Sequence, residues 1–363
     1  MPGADHEGWL VVGSTGRRQN TPAALLAGGR SEYEDGILVL PRDRSTGEVG
    51  DVVQALALDA TWFVVANRDR TRLFSANEPV DGGECLLTSL SFDAGELRVV
   101  NEAPTGGRLA CHVALSPTEE HAIVSHFASA DLSVHPIGPD GTVHPPSQLL
   151  SLSGTGPHVR QEAAHAHQVA TFPGGTYLAG VNLGNDEVAT YTVTSAGTLR
   201  PQQVPATTVG AGVGPRNLVF ASDGYAYLAN ELSNTLTVLR YDGSAGTVEV
   251  VDQHSTFVDD DLTQDSACGG IGLSPDERFL YVSNRGRDTI AAFAVAGGSV
   301  TPVHEVPVGG ENSHDISLAD WFVYAANTRS NTVTVLPIDP ATGHLGAVQQ
   351  TITLPTPMSV LAL

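Results

Sequence analysis

The sequence predicts an all-β fold, a seven-bladed β-propeller of four-stranded antiparallel blades whose ring is closed by the C-terminal strand. Three observations carry this. One template recurs along the chain: a small turn, a strand, a Ser/Asp-x-Gly-type turn, a strand ending in Asn or Ser, a short polar turn and a third strand. Its period is irregular, roughly 45–60 residues, which fits a four-stranded blade better than a solenoid coil. The last strand-like run, Pro357 to Leu363, has no hairpin partner after it.

The clearest copy is GAGVGPRNLVFASDGYAYLANELSNTLTVLRY at residues 210–241. Short β-branched or aromatic runs between Gly, Asn, Asp and Ser turns mark antiparallel hairpins. Other copies stand at 111–137, 167–193, 271–295 and 314–338, with a weaker one at 55–76, ALALDATWFVVANRDRTRLFSA. In chain order, residues 1–8 read as a frayed terminus. Trp9 to Gly13 and Gly36 to Pro41 read as strands around a polar, Gly-rich surface excursion, Ser14 to Asp35. Blade two is expected over 51–105, with Leu86 to Leu90 and Glu96 to Asn101 as outer strands. Blades three to seven follow over 106–160, 161–210, 211–265, 266–308 and 309–350. The segment from Pro157 to Gln168 is the one candidate short helix and reads more naturally as a loop. Because the first blade begins with what looks like a second strand, the C-terminal strand supplies its innermost one. Closing the ring this way removes an exposed sheet edge. Residues 1–363 are thus expected to form a single propeller domain.

Composition narrows the function. The 39 Gly and 22 Pro are spread through turns, which indicates many hairpins and not disorder. The net charge is −22, and all 18 basic residues are arginine. Such acidity disfavours nucleic acid and anionic membranes as partners. The absence of lysine excludes lysine Schiff-base chemistry. Three scattered cysteines have neither zinc spacing nor a disulfide pattern. The N-terminus lacks the basic and apolar regions of a signal peptide, and no apolar run approaches the ~20 residues that span a bilayer. The expectation is a cytoplasmic protein with no cofactor.

Aligning the copies places two sets of residues at the mouth of an axial channel. Before the innermost strands stand Cys111-His112, His165-Ala166-His167, Arg216-Asn217, Gly269-Gly270 and Ser313-His314-Asp315. After the second strands stand Asn67-Arg68, His126, Asn182, Asn230-Glu231, Asn284-Arg285 and Asn327. Arginines, a glutamate and histidines converging there make an anion-binding pocket.

GPRNLVF followed by YAYLANELSNTLTV resembles the lactonase-type seven-bladed propeller family, which includes propeller 6-phosphogluconolactonases and fungal carboxy-muconate lactonising enzymes. The resemblance runs over nearly the whole chain and is most specific in blades four to six. It implies four catalytic residues: His165 opening blade four, Arg216 of Gly-Pro-Arg, Glu231 of Asn-Glu-Leu, and Arg285 after the second strand of blade six. The family often has histidine after Gly-Pro-Arg, where this chain has Asn217. His167, Asn217, Asn230, Asn284 and His314 complete the expected substrate contacts.

Opening a lactone needs a base for water, a cationic or hydrogen-bonding group for the oxyanion, and a proton donor for the leaving alkoxide. His165 suits the base; Glu231 could serve instead, or orient His165. Arg216 and Arg285 suit a phosphate, a carboxylate or the oxyanion. By resemblance, 6-phosphogluconolactone is the best single substrate. Lactonisation of a carboxylated muconate at the same site is the first alternative, a non-catalytic interaction platform the second, and a metal-dependent six-bladed lactonase the third.

Each feature also has a plainer reading. Arg216 and Glu231 can be an ion pair stapling two hairpins. The His165/His167 pair can hold a metal but lacks a third ligand nearby. The recurring strand-end asparagines suit turn chemistry, and His112, His126 and His314 suit channel lining. The run Asp259-Asp260-Asp261 suits a solvated loop rather than a calcium site.

Overall fold

The computed structural model describes residues 7–16, 36–79, 83–202, 205–258 and 265–363. Of the expected excursion from Ser14 to Asp35, Ser14 ends a strand, and residues 17–35, like the acidic run at 259–261, lie outside the described residues. Seven antiparallel sheets form the blades. Their innermost strands are Pro357–Ala362, Ala60–Ala66, Ala110–Leu115, Ala166–Thr171, Pro215–Phe220, Ala267–Leu273 and Ser313–Ala319, for blades one to seven. Blades two to seven run outward in chain order. Blade one instead orders Pro357–Ala362, Glu7–Ser14, Gly36–Asp43 and Gln54–Ala57, so the closing strand is where the unpaired C-terminal run placed it. The Pro157–Gln168 segment is a loop leading into blade four, and the described residues contain no α-helix. No helix is long and apolar enough to cross a membrane among the described residues.

One part of the expected register is corrected. Gln54–Ala57 is the outer strand of blade one, and blade two begins at Ala60. Asn67 and Arg68 therefore sit in the hairpin after the first strand of blade two, at its end away from the channel mouth. Asn77 takes the strand-end position instead, and its Nδ2 donates to Thr61 Oγ1 at 2.8 Å. The run ALALDATWFVVAN holds two β-patterned stretches separated only by Asp59, and alternation alone does not say which stretch is innermost.

The core lies between blades. Seven apolar clusters each join one blade to the next, from Leu10, Leu38, Tyr324 and Val333 at the ring closure to Tyr227, Leu236, Leu280 and Phe293 between blades five and six. Alternation supplies this geometry, because each strand sends successive side chains to opposite neighbours. Tyr227, Tyr281 and Tyr324 occupy one template position in blades five to seven and are fully buried. Tyr281 donates to Gly343 O at 2.9 Å. Burying an aromatic or large aliphatic side chain stabilises the fold by about 1.5–3 kcal/mol, so interblade packing dominates the stability. Side-chain amides add a polar clamp between blades. Gln54 grips Leu97 O and N at 2.8 and 2.7 Å, Asn101 grips Val143 O and N at 2.7 and 2.8 Å, and Gln350 grips Val49 O and N at 2.7 and 2.8 Å.

Every innermost strand carries a register shift near the same end. The residues left out of the ladder are Met358, Trp62, Cys111, His167, Arg216, Gly269 with Gly270, and His314. A bulge bends its strand, increases twist and re-aims one side chain. Repeated around the ring, it turns one residue set toward a common point.

Candidate active site

Arg216 is the hub of that set. Its Nη1 lies 2.6 Å from His167 Nε2 and 2.7 Å from Glu231 Oε2, and its Nη2 lies 3.1 Å from His314 Nε2. The guanidinium thus links blades four, five and seven. Blade six offers only Gly269 and Gly270 at its bulge, so no side chain blocks the crossing. Both positions also require glycine, since a Cβ on Gly270 would meet Ile316 N at 2.5 Å and one on Gly269 would meet Ser313 O.

Glu231 is almost fully buried and is shared by three guanidinium groups. Oε2 takes Arg216 at 2.7 Å and Arg285 at 2.8 Å, while Oε1 takes Arg160 at 2.7 Å. Burial pushes its pKa upward, but the charges of Arg285 and Arg216, with His167 and Arg160, outweigh burial and hold it well below the usual carboxylate range. The Gly-rich turn positions the pair. Glu231 N donates to Gly214 O at 2.7 Å, and the Asp186 carboxylate accepts from Gly212 N at 2.6 Å and Gly214 N at 2.8 Å. Asp186 also accepts from Gln161 Nε2 at 2.7 Å, which ties the loop bearing Arg160 to the same anchor.

The histidine tautomers follow from their partners. Arginine only donates, so Nε2 of His167 and of His314 must accept, leaving the proton on Nδ1. His314 Nδ1 donates to Met358 O at 2.9 Å. Burial first, then Arg216, pushes the pKa of both imidazoles well below 6.5. The same causes lower His112 to about 3; its ring packs on Phe63 at 4.2 Å. His165 differs. Its Nδ1 donates to Phe127 O at 2.9 Å, its ring stacks on Phe127 at 4.3 Å, and its Nε2 lies 3.7 Å from Glu162 Oε1. In the neutral ring this bond leaves the lone pair on Nε2.

The cluster has more donors than acceptors. Arg216 Nε, Arg285 Nε and His167 Nδ1 are buried with no hydrogen-bond partner. Three guanidinium charges meet one carboxylate. In a chain of net charge −22, this is a local positive site suited to an anion.

The sequence profile described as "Lactonase, 7-bladed beta-propeller" matches residues 24–362. The chain belongs to this family. It is 29% identical over 331 residues to a 6-phosphogluconolactonase of Bacillus subtilis, covering 90% of this chain and 94% of the relative. Among solved structures, the periplasmic gluconolactonase of Pseudomonas aeruginosa is 27% identical with a TM-score of 0.87, covering 98% of this chain and 99% of that one. A protein from Lactobacillus plantarum is also 27% identical, with a TM-score of 0.86 and the same coverage.

In this lactonase-family propeller, Arg216, Glu231, Arg285, His167 and His314 come together as expected, and His165 adjoins them through Phe127, which also meets His167 edge-on at 6.0 Å. Two of the expected substrate contacts are engaged by other groups of the protein. The Nδ2 of Asn230 binds Thr235 and Thr237, and that of Asn284 binds Thr256 O and Thr289. The Asn230 amide serves its own sheet, and the Asn284 amide also ties blade six to Thr256, just beyond the outer strand of blade five. Asn217 is half-buried on the innermost strand of blade five, on the face it shares with Val219. His126 is fully buried rather than lining the channel, with Nδ1 against Asp131 O at 3.2 Å. His165 and His167 diverge to different partners, and no three His, Cys, Asp or Glu side chains converge for a metal among the described residues.

Sequence reasoning missed Arg160 and Trp62. Trp62 is the bulged residue of blade two, its ring 6.4 Å from His314. The misplaced register of blade two hid it. Arg160 lies in a loop without periodicity, and only the polar density of RQEAAHAHQ hinted at it.

Proposed function

We propose that the chain is a lactone hydrolase that opens sugar-acid lactones, 6-phosphogluconolactone foremost, without a metal ion. The observation that carries this is a buried arginine pair ordered by one carboxylate, with unpartnered N–H donors, beside a histidine of set tautomer. Two relatives are named for such substrates, one for 6-phosphogluconolactone and one for gluconolactone.

In this reading His165 Nε2 takes a proton from water, and the water oxygen attacks the lactone carbonyl. The electron pair displaced onto the carbonyl oxygen is met by the donors of Arg216 and Arg285. An oriented donor of this kind contributes about 3–4 kcal/mol to the transition state. Collapse breaks the ring C–O bond, and the departing alkoxide takes the proton from His165. Glu231 is not the base, because Arg216 and Arg285 both hold its Oε2 and their charges depress its basicity. It orients them instead. The Phe127 carbonyl plays the matching part for His165.

The test is hydrolysis of 6-phosphogluconolactone above the spontaneous rate, with and without EDTA. His165→Gln is expected to lower kcat about 10²- to 10⁴-fold with little change in thermal stability, and EDTA to have no effect. Wild-type hydrolysis no faster than background would overturn the reading. Full activity in His165→Gln would remove His165 from the mechanism.

A further inference from the structure

The three guanidinium groups around Glu231 are not equivalent. Arg216 and Arg285 share Oε2, and their side chains are only 6% and 14% exposed. Arg216 also engages two imidazoles, and Arg285 donates to Cys268 O at 2.8 Å. Moving either would strand a buried carboxylate. Arg160 alone holds Oε1, and its side chain is 48% exposed. Its contact with Glu231 is a bridge between the buried cluster and solvent. Such a half-exposed pair is weak and easily exchanged.

The loop around Arg160 is built as a fixed pivot. Gln161 is fully buried, and its Nε2 donates to Leu183 O and Asp186 Oδ1, both at 2.7 Å. Its Oε1 accepts from His158 N at 3.1 Å, and its carbonyl accepts from Gly156 N at 3.0 Å. The backbone under Arg160 is therefore pinned while about half of its side chain stays exposed; the preceding Val159 is 84% exposed. On the other side of the loop, the exposed Glu162 lies beside His165. A carboxylate there repels an anion from the His165 end. Negative charge on a bound molecule is steered toward Arg160.

We infer that Arg160 is a specificity-determining residue, which leaves Glu231 Oε1 to bind a distal phosphate on the lactone. The inference rests on the hydrolase reading and names its substrate class. The exchange replaces one ion pair with another and buries no new charge. A guanidinium matches phosphate with two parallel hydrogen bonds, which a lysine cannot supply. Glu231 keeps Arg216 and Arg285 throughout, so the hydrolytic groups stay in place whether or not a phosphate is bound. An unphosphorylated lactone leaves Arg160 on Glu231.

The test compares wild type, Arg160→Ala and Arg160→Lys on 6-phosphogluconolactone and on glucono-δ-lactone. Thermal shifts with 6-phosphogluconate and gluconate are measured alongside. Arg160→Ala is expected to raise KM for the phosphorylated lactone about 10- to 100-fold, with far smaller changes in its kcat and in the kinetics on gluconolactone. Arg160→Lys recovers part of the loss. The extra stabilisation by 6-phosphogluconate over gluconate disappears in Arg160→Ala. Equal losses on both lactones would overturn the inference and make Arg160 a prop for Glu231. An unchanged preference for the phosphorylated ligand in Arg160→Ala would overturn it too. Wild type inactive on both lactones would sink the hydrolase reading, and the thermal shifts would still decide the role of Arg160.

Discussion

A buried arginine needs a buried anion, and Glu231 is the side chain that lets two of them face a channel mouth. The same accounting applies to the histidines of blade three. Burial lowers His126 and His135 to about 4 and His112 to about 3. Each binds its proton more weakly folded than unfolded, where the ordinary value is 6.5. Their contribution is intact above pH 6.5 and is lost as pH falls toward 4, with a slope of about 1.4 kcal/mol per pH unit for each histidine. Asp315 has the opposite sign, because burial raises its carboxyl to about 6; it gains stability as pH falls from 6 toward 3.8. Three histidines outweigh one carboxyl. Urea midpoints are expected to drop steeply between pH 6.5 and 4, and less steeply in His135→Gln. A pH-independent midpoint over that range would refute this. The repeating template put Arg216, Glu231, Arg285, His165, His167 and His314 among the residues at one end of the inner strands, and the family resemblance singled out His165, Arg216, Glu231 and Arg285. Both missed Arg160, because a loop residue's direction depends on tertiary anchors such as Gln161 and Asp186.

At the scale of the element, the bulge is the working unit. Seven strands shift register at the same end, and the shift decides whether a residue joins the ladder or leaves it. This was not legible from alternation, since a bulge adds one residue without changing composition. The template found the positions, and the bulges explain why their side chains meet. Blade six shows the constraint in reverse, with glycines where other blades carry side chains. Gly270→Ala is expected to destabilise by about 1–3 kcal/mol, because its Cβ would meet backbone N of Ile316 at 2.5 Å, with a parallel fall in kcat as the adjoining His314 strand shifts. Thermal melts and turnover together check this; a stable, fully active variant would show that the two inner strands can part freely. The asparagines at strand ends illustrate the converse error. Their place after the second strands put Asn230 and Asn284 among the expected substrate contacts, but Asn230 holds two threonines of its own blade and Asn284 reaches Thr256 beside blade five.

For the whole molecule, the decisive contact is between the chain's most distant described parts. Pro357–Ala362 pairs with Glu7–Ser14, and Ser14 Oγ donates to Pro355 O across 341 positions of sequence. Arg42 adds a bond to Leu363 O at 3.1 Å and an ion pair with Asp320 at 2.8 Å. An unpartnered terminal strand and a first blade lacking its inner strand made this closure readable in advance. Deleting residues 357–363 would expose a sheet edge and the cluster around Leu10, Val12 and Leu38. The truncated chain is expected to be aggregated or unfolded, as judged by gel filtration and near-UV circular dichroism; a monomeric, folded product would show that the ring does not need its seal. The same strand also reaches the site, because Met358 O holds the imidazole that braces Arg216. On the ribosome, Arg216, Glu231 and His314 all emerge before Met358 does. Their arrangement waits for a strand translated after every blade it joins, so the brace on Arg216 cannot be complete until Met358 has left the ribosome.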